Sequence, residues 1–245
     1  MAVRATVVRW VKRVLASRGY SLTRVGHLNR ATMVGALGAI AKRQHSVRTV
    51  IDVGASDGRW SEAAMAFLPS CQYLLIEAQD VHKKALTDFC NRHSNAQFLL
   101  AAAGSARGQV YFKANRPFGG QASYVPFESH NIELSMTTVD HEVRSRRLSR
   151  PFLLKLDTHG FEFPILDGAQ ETLRETEVLI VECYNFKITP ECLLFYEMCN
   201  CLKEYGFRCV DLADPMHRPY DDAFWQMDLV FVRDDWPGFY YSNYK

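Results

Sequence analysis

From Thr49 to Val232, short apolar runs alternate with longer stretches of helical period. The runs Thr49 to Val53, Gln72 to Glu77, Gln97 to Ala101, Phe152 to Asp157, Val178 to Glu182, Arg208 to Asp211 and Asp228 to Val232 predict strands. Helices are predicted over Thr32 to Lys42, Arg59 to Phe67, His82 to Arg92, Phe161 to Arg174 and Pro190 to Tyr205, with a hairpin or excursion over Gly108 to Ser135. Strands separated by helices imply an α/β fold: a doubly wound, mostly parallel, Rossmann-like sheet of seven strands, covered on both faces. Such sheets bind ligands at the carboxyl ends of their strands, where the strand order switches.

A different pattern precedes this region. Val3, Val7, Trp10, Val11 and Val14 recur at helical spacing, and Arg4, Arg9, Lys12, Arg13 and Arg18 fill much of the rest, which predicts a basic amphipathic helix within residues 1–24. Residues 1–47 are therefore read as an N-terminal basic helical segment, and residues 48–245 as one domain.

Charge sharpens that division. Residues 1–51 hold ten Lys or Arg and no acid, so the formal net charge of +2 covers a remainder with 19 basic and 27 acidic residues. A nucleic-acid footprint should lie on the folded domain that reads the nucleic acid, and this domain is acidic, so no nucleic-acid partner is expected. The N-terminal helix has two readings. It can insert at an anionic membrane surface, a peripheral position at the inner face of the membrane, or it can pack on the domain or in a homodimer interface. An Arg-rich, acid-free segment also fits mitochondrial targeting.

The seven cysteines form no CxxC pair and are read as reduced thiols of a cytoplasmic protein. No run of about 18 apolar residues predicts a membrane span, and no secretory signal is apparent.

The chemistry starts in "RTVIDVGASDGRW". Asp52 lies inside the first strand, Gly54 and Ser56 follow it, and Asp57 and Gly58 lead into the next helix. Glycines allow close backbone approach, and a helix start favours an anion, but two carboxylates make a poor phosphate cradle. The spacing also lacks the G-x-G-x-x-G of dinucleotide folds. A ligand with positive charge fits better, and S-adenosylmethionine carries an ammonium and a sulfonium beside an adenosine. Glu77, ending the second strand, stands where an acid accepts hydrogen bonds from ribose hydroxyls.

"VIDVGASDGRWS", "LLIEAQ", "TTVD" and above all "LLKLDTHGFEFPILDGA" resemble the FkbM-family methyltransferases, over roughly Arg48 to Arg233. The resemblance implies a class I fold that uses S-adenosylmethionine and mostly methylates hydroxyl oxygens of sugars, glycolipid precursors and small natural products. By position, Asp52, Gly54, Ser56, Asp57, Gly58 and Glu77 would hold the cofactor. Ala102 falls where other class I enzymes often place an adenine-contacting Asp or Asn.

"KLDTHGFE" ends the fourth strand. Lys155 and Asp157 are two apart and share a face; His159 follows in the turn, and Glu162 opens a helix. Methyl transfer to a hydroxyl benefits from a base near the acceptor, and His159 has a suitable ordinary pKa. Asp157, His159 and Lys155 are the catalytic candidates; Glu182, Asn185 and Tyr124 are candidates for substrate binding. An alternative places magnesium on Asp157, Glu182 and Asn185. The aromatic residues Phe118, Tyr124 and Phe127 of the excursion, and "PMHRPYDDAFWQMD" near the far end, suit substrate walls. Two rival functions remain: an NAD-dependent oxidoreductase, disfavoured by the missing glycine motif, and a non-catalytic binding subunit of methyltransferase type.

Overall fold

The computed structural model describes residues 29–114 and 116–244, so the predicted helix within residues 1–24 lies outside the described residues. The central sheet contains β1 (Thr49–Val53), β2 (Gln72–Glu77), β3 (Ala96–Leu100), β8 (Phe152–Leu156), β9 (Thr176–Tyr184), β10 (Phe207–His217) and β11 (Phe224–Arg233). Its order is β10-β11-β9-β8-β1-β2-β3. The strands from β3 to β9 pair in parallel, whereas β11 runs antiparallel to both β9 and β10. Order reverses between β1 and β8, so the crevice opens there.

Helices cover both faces: α1 (Met33–Lys42), α2 (Arg59–Met65), α3 (Lys83–Arg92), α4 (Val139–Arg146), α5 (Glu162–Asp167), α6 (Gln170–Arg174) and α7 (Phe195–Glu204). Side chains alternate across each strand. Val50, Tyr73, Leu75, Leu153, Ile180 and Val230 thus pack with Leu37 and Ile40 of α1, Ala64 of α2 and Phe89 of α3. Ile51, Val53, Leu154, Leu156, Val181 and Phe231 pack on the other face with α4 to α7.

The excursion builds a second sheet in the order β4-β7-β5-β6, from β4 (Ala102–Ala103), β5 (Gly108–Lys113), β6 (Gln121–Ser123) and β7 (Asn131–Thr137). Its Val110, Phe112, Ala122 and Met136 join the core on the α4 to α7 side. Local sequence explains the element ends. Thr32 caps α1 by accepting from the Gly35 N–H, and Thr138 caps α4 by accepting from the His141 N–H. The predicted helix over Phe161 to Arg174 is two helices, broken at Gly168 and Ala169. The one predicted over Pro190 to Tyr205 begins only at Phe195. β10 extends six residues beyond the predicted end at Asp211, through irregular pairing with β11. No helix among the described residues is long and apolar enough to cross a membrane.

Candidate active site

Strand parity decides which charged groups meet. Asp52, Glu77, Lys155, Glu182 and Asp228 are in phase with the apolar residues that face α1 to α3, so all five project from the same face of the sheet. Beyond the carboxyl ends of the parallel strands, beside the amino-terminal half of β11, lies a cavity of about 520 Å³, a size usual for small-molecule sites. Of the sequence candidates, Gly54, Ser56, Glu77, Ala102, Lys155, Asp157, His159 and Glu182 line it.

Five candidates are elsewhere. Asp52 is wholly buried beneath the cavity, where its carboxylate accepts from Ser61 Oγ at 2.8 Å and Lys155 Nζ at 3.2 Å. It is thus a partner for Lys155, not a ligand contact. Asp57 turns to Arg59, accepting from its Nε at 2.9 Å. Gly58, at φ +85°, is the N-cap of α2, and a β-carbon there would lie 3.2 Å from the Phe89 ring. Tyr124 contacts Ser105 at 2.6 Å, and Asn185 donates to the Phe224 carbonyl at 3.2 Å. Asn185 does not line the cavity that Asp157 and Glu182 line, so the structure gives no support to the magnesium set that included it.

Gly54 lines the cavity at a close backbone crossing. It has φ +78°, and a β-carbon there would lie 1.9 Å from the Asp157 carbonyl oxygen. The absent side chain makes room for the end of β8. Past it, the Ser56 N–H donates to one oxygen of Glu77 and the Gln79 N–H to the other, each at 2.7 Å. Burial raises the Glu77 pKa against these two bonds, which favour its charged form. A carboxylate has about four lone-pair sites, so two remain for a ligand. Ser56 Oγ and Trp60 Nε1, both on cavity-lining residues, are buried without hydrogen-bond partners among the described residues. Such atoms are costly unless a ligand or water meets them.

One end of the cavity is a slot of small and apolar groups: Ala101, Ala102, Ala103, Ala122 and Phe112. Pro117 to Gly120 close over it. The Pro117 carbonyl accepts from Gln79 Nε2 at 3.0 Å and lies 2.7 Å from His82 Nε2. The Arg59 guanidinium sits 4.7 Å from the Phe118 ring centroid.

The other end is ionic. Lys155 Nζ bridges Asp52 and Asp157, at 3.2 and 3.0 Å. Burial opposes its charge, but the two carboxylates outweigh burial and keep the ammonium protonated. Burial likewise disfavours the Asp157 anion, yet the Lys155 charge prevails and lowers its pKa. His159 Nδ1 lies 3.0 Å from Glu182 Oε2 and 2.8 Å from the Tyr184 hydroxyl. Against burial, the Glu182 hydrogen bond and charge, with Asp157 behind, raise the His159 pKa to about 9. Burial and then the Asp157 charge push Glu182 up to about 7. Tyr184 and Gln226 donate to the two Glu182 oxygens.

Asp228, the last residue of the stretch "PMHRPYDDAFWQMD" read as a substrate wall, was not singled out from the sequence. It lines the cavity opposite Glu182 and has no hydrogen bond or ion pair among the described residues; burial, then the charges of Asp157 and Glu182, lift its pKa to about 8. Trp60, Gln79, His82, Phe112, Ala122 and Asp214 also line the cavity and were missed. For Asp228 the signal was present: an acid inside the apolar run "MDLVF", as with Asp52 and Glu77.

A parallel sheet with one reversed strand, β11, inserted beside its edge strand, and a crevice beside β1, defines a fold of the class I methyltransferase type. The family described as the methyltransferase FkbM domain matches residues 52–209, and the chain belongs to that family. Similar solved structures include methyltransferase FkbM from Methylobacillus flagellatus KT, at 15% identity and a TM-score of 0.49; the match covers 75% of this chain and 43% of that one. An rRNA methylase from Streptococcus thermophilus matches at 11% identity and 0.47, covering 86% and 98%. The putative tRNA (m1A22) methyltransferase Sp1610 of Streptococcus pneumoniae, in complex with S-adenosyl-L-methionine, matches at 12% and 0.44, covering 81% and 72%. The chain thus spans less than half the length of the Methylobacillus protein. No curated protein matches. The family match does not bear on the expected absence of a nucleic-acid partner.

Proposed function

We propose that the protein is an S-adenosylmethionine-dependent O-methyltransferase acting on a hydroxyl of a sugar, glycolipid precursor or small natural product. The observation that carries the cofactor reading is Glu77. Its carboxylate is fixed by two backbone N–H groups at the strand end, with lone pairs left over beside the alanine slot. Ribose hydroxyls suit those lone pairs, and adenine suits the slot. The unpartnered Ser56 Oγ and Trp60 Nε1 add polar contacts at the same wall. Asp157, Glu182 and Asp228 favour the cationic end of the cofactor, which brings the transferable methyl group.

The residues themselves have three tasks. Lys155 holds Asp157 ionised and in place. The loop from Gly54 to Ser56 positions the cofactor's amino-acid end against Asp157. His159 and Glu182 face the acceptor, and Glu182, whose pKa is pushed up to about 7, is the member placed to take up the hydroxyl proton.

Calorimetry with S-adenosylhomocysteine and with NAD tests the cofactor assignment: binding of the first alone supports it, and binding of NAD alone overturns it. Failure of both would favour the non-catalytic binding subunit. Transfer of radiolabelled methyl from the cofactor to fractionated extract, with and without nuclease treatment, tests the acceptor. A nuclease-sensitive product would replace the small-molecule or glycan acceptor with nucleic acid.

A further inference from the structure

We propose that Asp157, His159 and Glu182 form a site for one divalent cation that accepts mixed nitrogen and oxygen ligands. The three side chains present one donor atom each, all within 4.8 Å of one another. His159 Nδ1 is 3.0 Å from Glu182 Oε2 and 4.0 Å from Asp157 Oδ1. For bonds of ~2.1 Å, neighbouring ligands of an octahedral ion stand about 3.0 Å apart and opposite ones about 4.2 Å. Both edges from His159 fall in that range.

How the remaining atoms are engaged points the same way. Asp157 gives its other oxygen, Oδ2, to Lys155 at 3.0 Å, which leaves Oδ1 directed to His159. Glu182 receives Gln226 on Oε1 and Tyr184 on Oε2, which hold the carboxylate while a lone pair of Oε2 stays available. Outer partners of this kind orient ligands around a metal ion. Independently of these three, Asp228 supplies a carboxylate to the same cavity with no partner among the described residues, directly across the strands from Glu182. Like charges placed opposite each other destabilise a sheet, so the arrangement is one that a cation would relieve.

Imidazole with carboxylates suits Mn2+ and its transition-metal neighbours better than Mg2+, which prefers oxygen alone. The cation would take the place of the His159 Nδ1 proton and leave positions open to the cavity, where an acceptor oxygen could coordinate and bind its own proton less tightly. The inference does not depend on which acceptor is methylated.

Full-length protein freed of metal by chelation is titrated with MnCl2, and free Mn2+ is read by electron paramagnetic resonance. One Mn2+ per chain is expected, with affinity weakened about tenfold or more in Asp157→Asn and in His159→Gln. Asn185→Ala should bind like the wild type. Spin-echo spectra of the wild-type complex should carry modulation from a directly bound imidazole nitrogen, a readout that needs no variant to fold. Absence of saturable binding, absence of that modulation, or unchanged affinity in both folded ligand variants would overturn the site. S-adenosylhomocysteine binding, measured on the same preparation, reports separately on the proposed function.

Discussion

Glu182 and Asp228 are direct cross-strand neighbours on β9 and β11, two carboxylates projecting from one face of the sheet into one cavity. Glu182 is held by Gln226, Tyr184 and His159, whereas Asp228 has no such partner among the described residues.

That asymmetry gives the first prediction. The Asp228 pKa is raised to about 8, from an unfolded value near 3.9. Between those values the folded chain holds more protons than the unfolded one, so this group's contribution falls as pH rises. In chelator-treated protein, Asp228→Asn should exceed the wild type in stability at pH 9 by about 1 kcal/mol, roughly 2–4 °C in Tm, and the advantage should shrink towards pH 4. Thermal melts across that range check it; an advantage independent of pH would contradict it.

His159 has its own pH window. Its folded pKa is raised to about 9, so its stabilising pairing is fully present below the unfolded value of about 6.5 and is lost as pH rises through 9. The penalty of His159→Asn, read from urea denaturation in chelator, should be larger at pH 6 than at pH 9.5.

Removing Lys155 should be severe. The Lys155→Met variant leaves the wholly buried Asp52 without its cation, a situation that costs about 3–5 kcal/mol. The double variant with Asp52→Asn should recover a substantial part, and the four chemical midpoints of that cycle measure the coupling. Strict additivity would mean that the pair does not act as one.

At the other end of the cavity, Glu77→Ala removes both the loop anchor and the proposed ribose acceptor. Loss of a charge-assisted contact costs about 1.5–3 kcal/mol, or roughly ten- to a hundredfold in affinity. Titration calorimetry with S-adenosylhomocysteine should show that drop, whereas Asp57→Ala, whose carboxylate turns away to Arg59, should leave affinity close to wild type.

Much of the fold was legible because short, nearly continuous apolar runs such as Thr49–Val53 and Gln72–Glu77, buried on both faces of the sheet, match the observed strands residue for residue. Glu77, Ser56, Ala102, Asp157, His159 and Glu182 could be read as site residues because each sits at or just past a strand end. Asp52 shows the limit. A carboxylate inside an apolar strand announces an unusual environment, but the partner that explains it, Lys155, is 103 residues away on the neighbouring strand. The second sheet was read only as a hairpin or excursion: β5 does pair antiparallel with β6, but its longer pairing with β7 joins strands that are not consecutive in the chain. Helix α4 went unread because its sequence, VDHEVRSR, is largely polar with only two apolar residues.

The contact of Gly54 with the Asp157 carbonyl has a mechanical consequence. The turn beside the proposed cofactor seat and the strand end beside the proposed acceptor seat touch with no side chain between them. A displacement of either backbone is therefore transmitted to the other at once, as through a rigid joint. Tightening around one substrate would adjust the seat of the second without any hinge.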